Sequence, residues 1–133
     1  MNDTNDLHLE FYEECISFTE KDLEQFAEVS GDFNPLHMNE EFAISQGFPT
    51  RIVHGALMIS KVSGIIASQF PGPGTIIGSI EWKFILPVHI NQDLILNFTL
   101  ARFGPRKGIL ELRVFNESGA IVQESKIVLF FSR

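Results

Sequence analysis

Hydrophobic positions along this chain follow two periods. In the C-terminal part they alternate. Leu94, Leu96, Phe98 and Leu100 interleave with Ile95, Asn97, Thr99 and Ala101, the pattern of a strand with one buried face. Four segments have this texture: TIIGSIEWKFILPV from Thr75, DLILNFTLARF from Asp93, GILELRVFN from Gly108 and AIVQESKIVLFF from Ala120. The turn signals Gly104-Pro-Arg-Lys-Gly108 and Asn116–Gly119 separate them as hairpins. Residues 8–18 (HLEFYEECISF) read as one further strand.

Between these strands the period is helical. Thr19 is an N-cap candidate with Glu20 and Asp22 in the first turn, Leu23, Phe26, Ala27 and Val29 face inward, and Gly31 ends the helix. Residues 31–38 (GDFNPLHM) read as a loop, because Gly, Asp, Asn and Pro favour turns. Asn39 caps a short helix with Glu40 and Glu41 at its start and Phe42 and Ala43 turned inward. Residues 55–69 (GALMISKVSGIIASQ) form a third helix with apolar residues on nearly every face, so it is expected to be largely buried. Pro71-Gly-Pro-Gly74 stops it. One strand, a helical block and four antiparallel strands make an α+β domain with helices on one face of the sheet. A buried helix wrapped by such a sheet describes a hotdog fold.

Composition narrows the class. At 133 residues the chain fits one domain, 1–133. Thirteen phenylalanines are too much apolar surface for a disordered chain. A net charge of −7 argues against a nucleic-acid binder, which needs a basic face. The charge is unevenly placed, however. Residues 1–50 hold twelve acids and one base, and residues 51–133 hold five acids and nine bases. The second part is therefore mildly basic, and an anionic small ligand stays open. A lone Cys15 excludes an internal disulfide and fits a reducing compartment. The acidic start MNDTNDLHLEFYEE lacks the pattern of a signal peptide, and the apolar run from Ala56 to Phe70 is too short and too polar to span a membrane. A soluble cytoplasmic protein is the expectation.

The sharpest chemical signal is Ser30-Gly-Asp-Phe-Asn-Pro-Leu-His37. A turn at Asn34-Pro35 can fold Asp32 and His37 toward one point. A carboxylate beside an imidazole is an acid/base pair that works near neutral pH. The other reading is plain turn chemistry, with Asp capping the next amides and His solvated. From spacing alone both stay open.

The stretch Phe26 to Ala43 (FAEVSGDFNPLHMNEEFA) resembles the hydratase motif of the MaoC-like, (R)-specific enoyl-CoA hydratase family. The matching positions are Phe26, Ser30, Gly31, Asp32, Asn34, Pro35, Leu36, His37 and Ala43. Arg51-Ile-Val-His-Gly55, Ser63-Gly64, Pro71-Gly-Pro-Gly74 and Phe84-Ile-Leu-Pro-Val88 resemble the family too, in order and at its spacing. The resemblance implies a hotdog fold with helix 55–69 at its centre. It implies reversible syn addition of water to a trans-2-enoyl thioester, giving the (R)-3-hydroxyacyl thioester. Asp32 and His37 would activate the water, and the Gly55 N–H would bind the thioester carbonyl. The physics agrees, since a helix N-terminus supplies unpaired N–H groups where enolate charge develops. Ser63 is either a hydrogen-bond partner of the site or a small residue for close packing. His54 reads as an orienting or structural residue more than a catalyst.

No His, Cys, Asp and Glu set has metal-ligand spacing, and no cofactor is expected. His8 and His89 read as solvated and Cys15 as a packing residue. Trp82 and the phenylalanines read as core or dimer surface. The acyl group would arrive on coenzyme A or an acyl-carrier protein. Lys83, Arg102, Arg106 and Lys107 are candidate contacts for carrier phosphates, against the reading of Arg106-Lys107 as a solvated hairpin tip. Apolar sheet edges favour pairing, and the family pairs two sheets into a dimer, so a homodimer is expected. Two rival readings remain. A hotdog thioesterase would need an acid on helix 55–69, which has none. A non-catalytic acyl-thioester-binding subunit would not need Asp32 and His37. A 3-hydroxyacyl dehydratase on a carrier protein is the same chemistry in reverse.

Overall fold

A computed structural model describes residues 8–132 of the chain. Its elements are β1 (Leu9–Ile16), α1 (Glu20–Ser30), α2 (Pro35–Met38), α3 (Glu40–Ser45), α4 (Gly55–Ser68), β2 (Thr75–Phe84), β3 (Leu94–Phe103), β4 (Lys107–Phe115) and β5 (Ile121–Phe131). The five strands form one antiparallel sheet in the order β1-β3-β4-β5-β2, with α4 packed on its inner face. This is the α+β hotdog architecture that the two periods imply.

The alternation is realised as drawn. Leu94, Leu96, Phe98 and Leu100 are buried, with Leu110, Leu112 and Val114 beside them on β4 and Val122, Ile127 and Leu129 on β5. They close on Met58, Val62, Ile65 and Ile66 of α4. Apolar area removed from water is the main stabilising term of such a core. A bulge shifts the β2–β5 register between Ile77 and Ser79. It falls at Gly78, where a Cβ would lie 2.3 Å from the Phe130 ring.

Four expectations about the helices change. Val29, which the period turns inward on α1, is exposed, and only Leu23 and Ala27 of that helix are buried. Residues 31–38 are not all loop, since Pro35–Met38 close one helical turn. The cap and the proline that seem to forbid structure start it: Asn34 Oδ1 accepts the Leu36 N–H at 3.0 Å and Pro35 needs no N–H at the first helical position. In α3 only Ala43 is buried, and Phe42 is exposed. Helix α4 buries one face only. Ala56, Ser60, Ser63, Gly64 and Ala67 are exposed, because the single sheet covers one side of the helix. No helix of the described residues is long and apolar enough to cross a membrane.

The sheet has two distinct ends. Phe84 pairs with Gln123 at one, and Thr75 pairs with Phe131 at the other. The first end adjoins the start of α4, where the Phe84 ring lies against Gly55. The second adjoins the end of α4, where Ser132 N–H donates to Gly74 O and Phe131 N–H to Arg106 O. A 14-residue helix separates them by about 21 Å.

Candidate active site

Each residue of the Ser30–His37 segment has a local task. Ser30 Oγ donates to Phe26 O at 2.7 Å and accepts from Asp32 N–H at 3.1 Å, so it folds the chain back at the end of α1. Gly31 has φ 80, the left-handed conformation that favours glycine, and its N–H closes the helix on Ala27 O at 2.8 Å. Asp32 Oδ1 accepts Asn34 N–H at 3.2 Å. The turn of α2 then raises His37, whose N–H reaches Asn34 O at 2.9 Å.

His37 is buried and hydrogen-bonded through Nδ1 to Ile52 O at 2.8 Å. A carbonyl only accepts, so Nδ1 carries the proton and Nε2 holds the lone pair in the neutral ring. Asp32 is exposed, and its carboxylate, His37 and His54 bring donor atoms within 4.8 Å of one another. The fold therefore joins the two residues that spacing left ambiguous. The turn-capping reading of Asp32 is also true, through Asn34, and leaves its other carboxylate oxygen uncommitted to that turn.

His54 is 1 % exposed. Its ring stacks on His37, with centroids 4.0 Å apart and planes at 28°, and receives the edge of Phe26 at 5.0 Å. Its Nε2 donates to the main-chain oxygen of Asp32 at 3.1 Å. Burial pushes its imidazole below the usual histidine range, outweighing that carbonyl contact, with His37 nearby adding to the fall. His54 is also the N-cap of α4, so Gly55 supplies the first helical amide.

The Asp32/His37/His54 cluster corrects the expectation that no metal-ligand set exists, because residues 22 positions apart meet only after folding. One nitrogen of each ring is hydrogen-bonded to a backbone carbonyl, and the second nitrogen of His54 is enclosed without a partner among the described residues.

Behind the site lies a residue to which sequence reasoning assigned no role. Arg51 is buried, 3.0 Å from a Glu20 carboxylate oxygen on α1 and 3.9 Å from Glu40 on α3. Glu40 also accepts from Thr50 Oγ1 at 2.7 Å and Arg51 N–H at 3.3 Å. Arg51 thus anchors the strand-like segment whose next residue holds His37. The signal was present: it is the first base after twenty-nine residues that follow Lys21.

Other candidates are not brought to the pair within one protomer. Ser63 lies on the exposed face of α4, about two turns beyond Gly55, and makes no hydrogen bond to Asp32 or His37 among the described residues. Lys83 pairs opposite Glu124, on the outer face of the sheet, away from the helices. Arg102 is held by the Glu10 carboxylate and lies over the Phe131 ring at 4.6 Å. Arg106 and Lys107 are exposed at the far end of the sheet. His8 is exposed as expected. His89 is not fully solvated: it is half-buried, bridges Ile52 and encloses its Nδ1 without a partner. Cys15 is exposed, not packed, because it falls on the outward phase of β1. Trp82 is half-buried and donates to buried Gln123 at 2.9 Å. A shallow groove of about 860 Å³ runs along the outer sheet face past Phe11 and Ile109. Neither Asp32 nor His37 lines it.

Comparison with known proteins shows the family. The family model of the MaoC like domain matches residues 6–116. The chain is 33 % identical over 114 residues to the (R)-specific enoyl-CoA hydratase of Aeromonas caviae, covering 84 % of this chain and 85 % of that protein. It is 38 % identical over 78 residues to a mitochondrial 3-hydroxyacyl-[acyl-carrier-protein] dehydratase of Arabidopsis thaliana, covering 59 % of this chain and 46 % of that one. The solved (R)-hydratase of A. caviae involved in PHA biosynthesis superposes with a TM-score of 0.86 and 29 % identity, over 97 % of this chain and all (100 %) of that one. The family model covers most of the chain, and the A. caviae hydratase matches it in sequence and in fold, so the chain belongs to the MaoC-like family of hotdog hydratases and dehydratases.

Proposed function

We propose that this chain is an (R)-specific enoyl-CoA hydratase, adding water reversibly and syn to trans-2-enoyl thioesters. The observation that carries the reading is the tautomer of His37. Its Nδ1–H is spent on Ile52 O, so the lone pair of Nε2 is left for water beside the Asp32 carboxylate. Asp32 accepts a hydrogen bond from one O–H of the water, which stays on the oxygen, and orients it. His37 takes the other proton as the oxygen bonds to C3, and electron density moves to the thioester oxygen. The Gly55 N–H and the start of α4 stabilise that charge. His37 then returns its proton to C2. Addition is syn because oxygen and proton come from the same side. The R configuration is carried over from the A. caviae relative.

Crotonyl-CoA tests this directly, by loss of enoyl-thioester absorbance. Asp32→Asn and His37→Ala are expected to lower kcat by about 10²–10⁴ with the fold intact. Wild-type turnover in both would overturn the reading. The Arabidopsis relative favours a second carrier, an acyl-carrier protein, and kcat/KM for matched CoA and carrier-protein thioesters decides between them.

The working unit is a homodimer formed through the β2 edge. The two free edges are β1 and β2. β1 carries Glu10, Glu13 and Glu14, which a two-fold pairing would set against one another. β2 carries Glu81 and Lys83, of opposite sign, and exposed Ile76, Ile80 and Phe84. Antiparallel pairing places the Thr75 end of one β2 beside the Phe84 end of the other. The partner's Arg106 and Lys107 then lie at the end that holds the site, where they are the carrier-phosphate contacts.

A further inference from the structure

The chemistry above leaves His54 without a task, yet it touches more of the machinery than any other side chain. It donates to the Asp32 main chain, stacks on His37, and its own backbone caps the helix whose first amide is Gly55. Its two nitrogens are unequal. Nε2 must hold the proton to donate to a carbonyl, so Nδ1 holds a lone pair, and that lone pair is enclosed with no partner. Burying an unpaired acceptor is unfavourable. A residue kept only to fill this space would be apolar, because Phe would fill it and bury no orphan. The imidazole is therefore retained for Nε2–H.

We propose that His54 is a positioning residue whose neutral imidazole, through Nε2–H, fixes the Asp32 backbone and thereby sets the distance between the Asp32 carboxylate and His37 Nε2. Neutrality matters, since a second cation stacked on His37 would oppose its taking a proton. Burial keeps the ring neutral. The inference rests on the Asp32/His37 reading and goes beyond it, because it assigns the geometry of the pair to a third residue.

The test compares His54→Phe with His54→Gln in the full chain. Phe keeps the ring and the stack and removes the donor. Gln loses the stack and presents an amide N–H at similar reach. His54→Phe is expected to lower kcat on crotonyl-CoA by about 10-fold to 100-fold with KM held within about twofold, the scale of a catalytic group displaced by an ångström. His54→Gln is expected to recover most of that loss. A packing role predicts the reverse order, Phe active and Gln impaired, and that order would overturn the proposal. If the Phe variant does not fold, His54→Met against His54→Gln gives the same donor contrast. Turnover in Asp32→Asn and His37→Ala would sink the acid/base reading itself. Loss there with an unimpaired His54→Phe would sink only this inference.

Discussion

At the scale of single residues, two buried basic side chains, His54 and Arg51, differ in their surroundings. His54 avoids charge. Its titration in the folded protein lies below the ordinary histidine value of 6.5, so folding excludes a proton that the unfolded chain would take up. That stability is complete above about pH 6.5 and drains away as the pH falls through the lowered folded value. The thermal midpoint should therefore drop on acidification in the wild type, and drop less in His54→Phe, when unfolding is followed by circular dichroism from pH 8 downward. An equal slope in both would show that other groups cause it. Arg51 is paired with Glu20 and Glu40, whose side chains are 65 % and 51 % exposed. Arg51→Met would leave those carboxylates free to rehydrate, so the expected loss is about 1–3 kcal/mol rather than the larger cost of stranding a buried charge. Urea denaturation measures it.

At the scale of elements, local signals were legible where the determinants are adjacent in sequence. The Thr19 cap forms its full box, with Asp22 N–H to Thr19 Oγ1 at 3.2 Å and Thr19 N–H to Asp22 Oδ2 at 2.8 Å. Thr19→Ala should lower stability by about 1 kcal/mol, read from the denaturation midpoint, with turnover unchanged. Strand β3 was equally plain, and Phe98, fully enclosed against Tyr12 and Phe70, is its anchor. Phe98→Ala should cost about 3–5 kcal/mol. The α2 turn was not legible, because four residues are too few to show a period. It exists through one Asn cap and one Pro. Nor was the half-exposure of α4, whose apolar composition promised burial on every side.

At the scale of the whole molecule, that exposed face and the β2 edge belong to one argument. The open side of α4, beside a sheet edge that carries exposed Ile80 and Phe84, fits the proposed homodimer. Light scattering should give a particle of twice the 15.0 kDa chain. Ile80→Lys should yield a monomer that has lost turnover, and a fully active monomer would refute the dimeric site. The charge division gains meaning at this scale. Glu20 and Glu40, among the acids of the first fifty residues, hold Arg51, while in the proposed dimer Arg106 and Lys107 reach a carrier only across the two-fold.

The sequence alone determined the strands, the capped first helix, the α+β class and the motif that marks Asp32 and His37. Each depends on periodicity or on residues a few positions apart, where chain geometry leaves little choice. Tertiary structure decided everything that needed distant segments to meet. It joined His54 to Asp32 across 22 positions, committed His37 Nδ1 to Ile52, buried Arg51 against two helices and turned Lys83 to the wrong face. Those outcomes depend on which face of an element packs, and on what it packs against. That is set by the whole core at once and is not written in any local stretch of the chain.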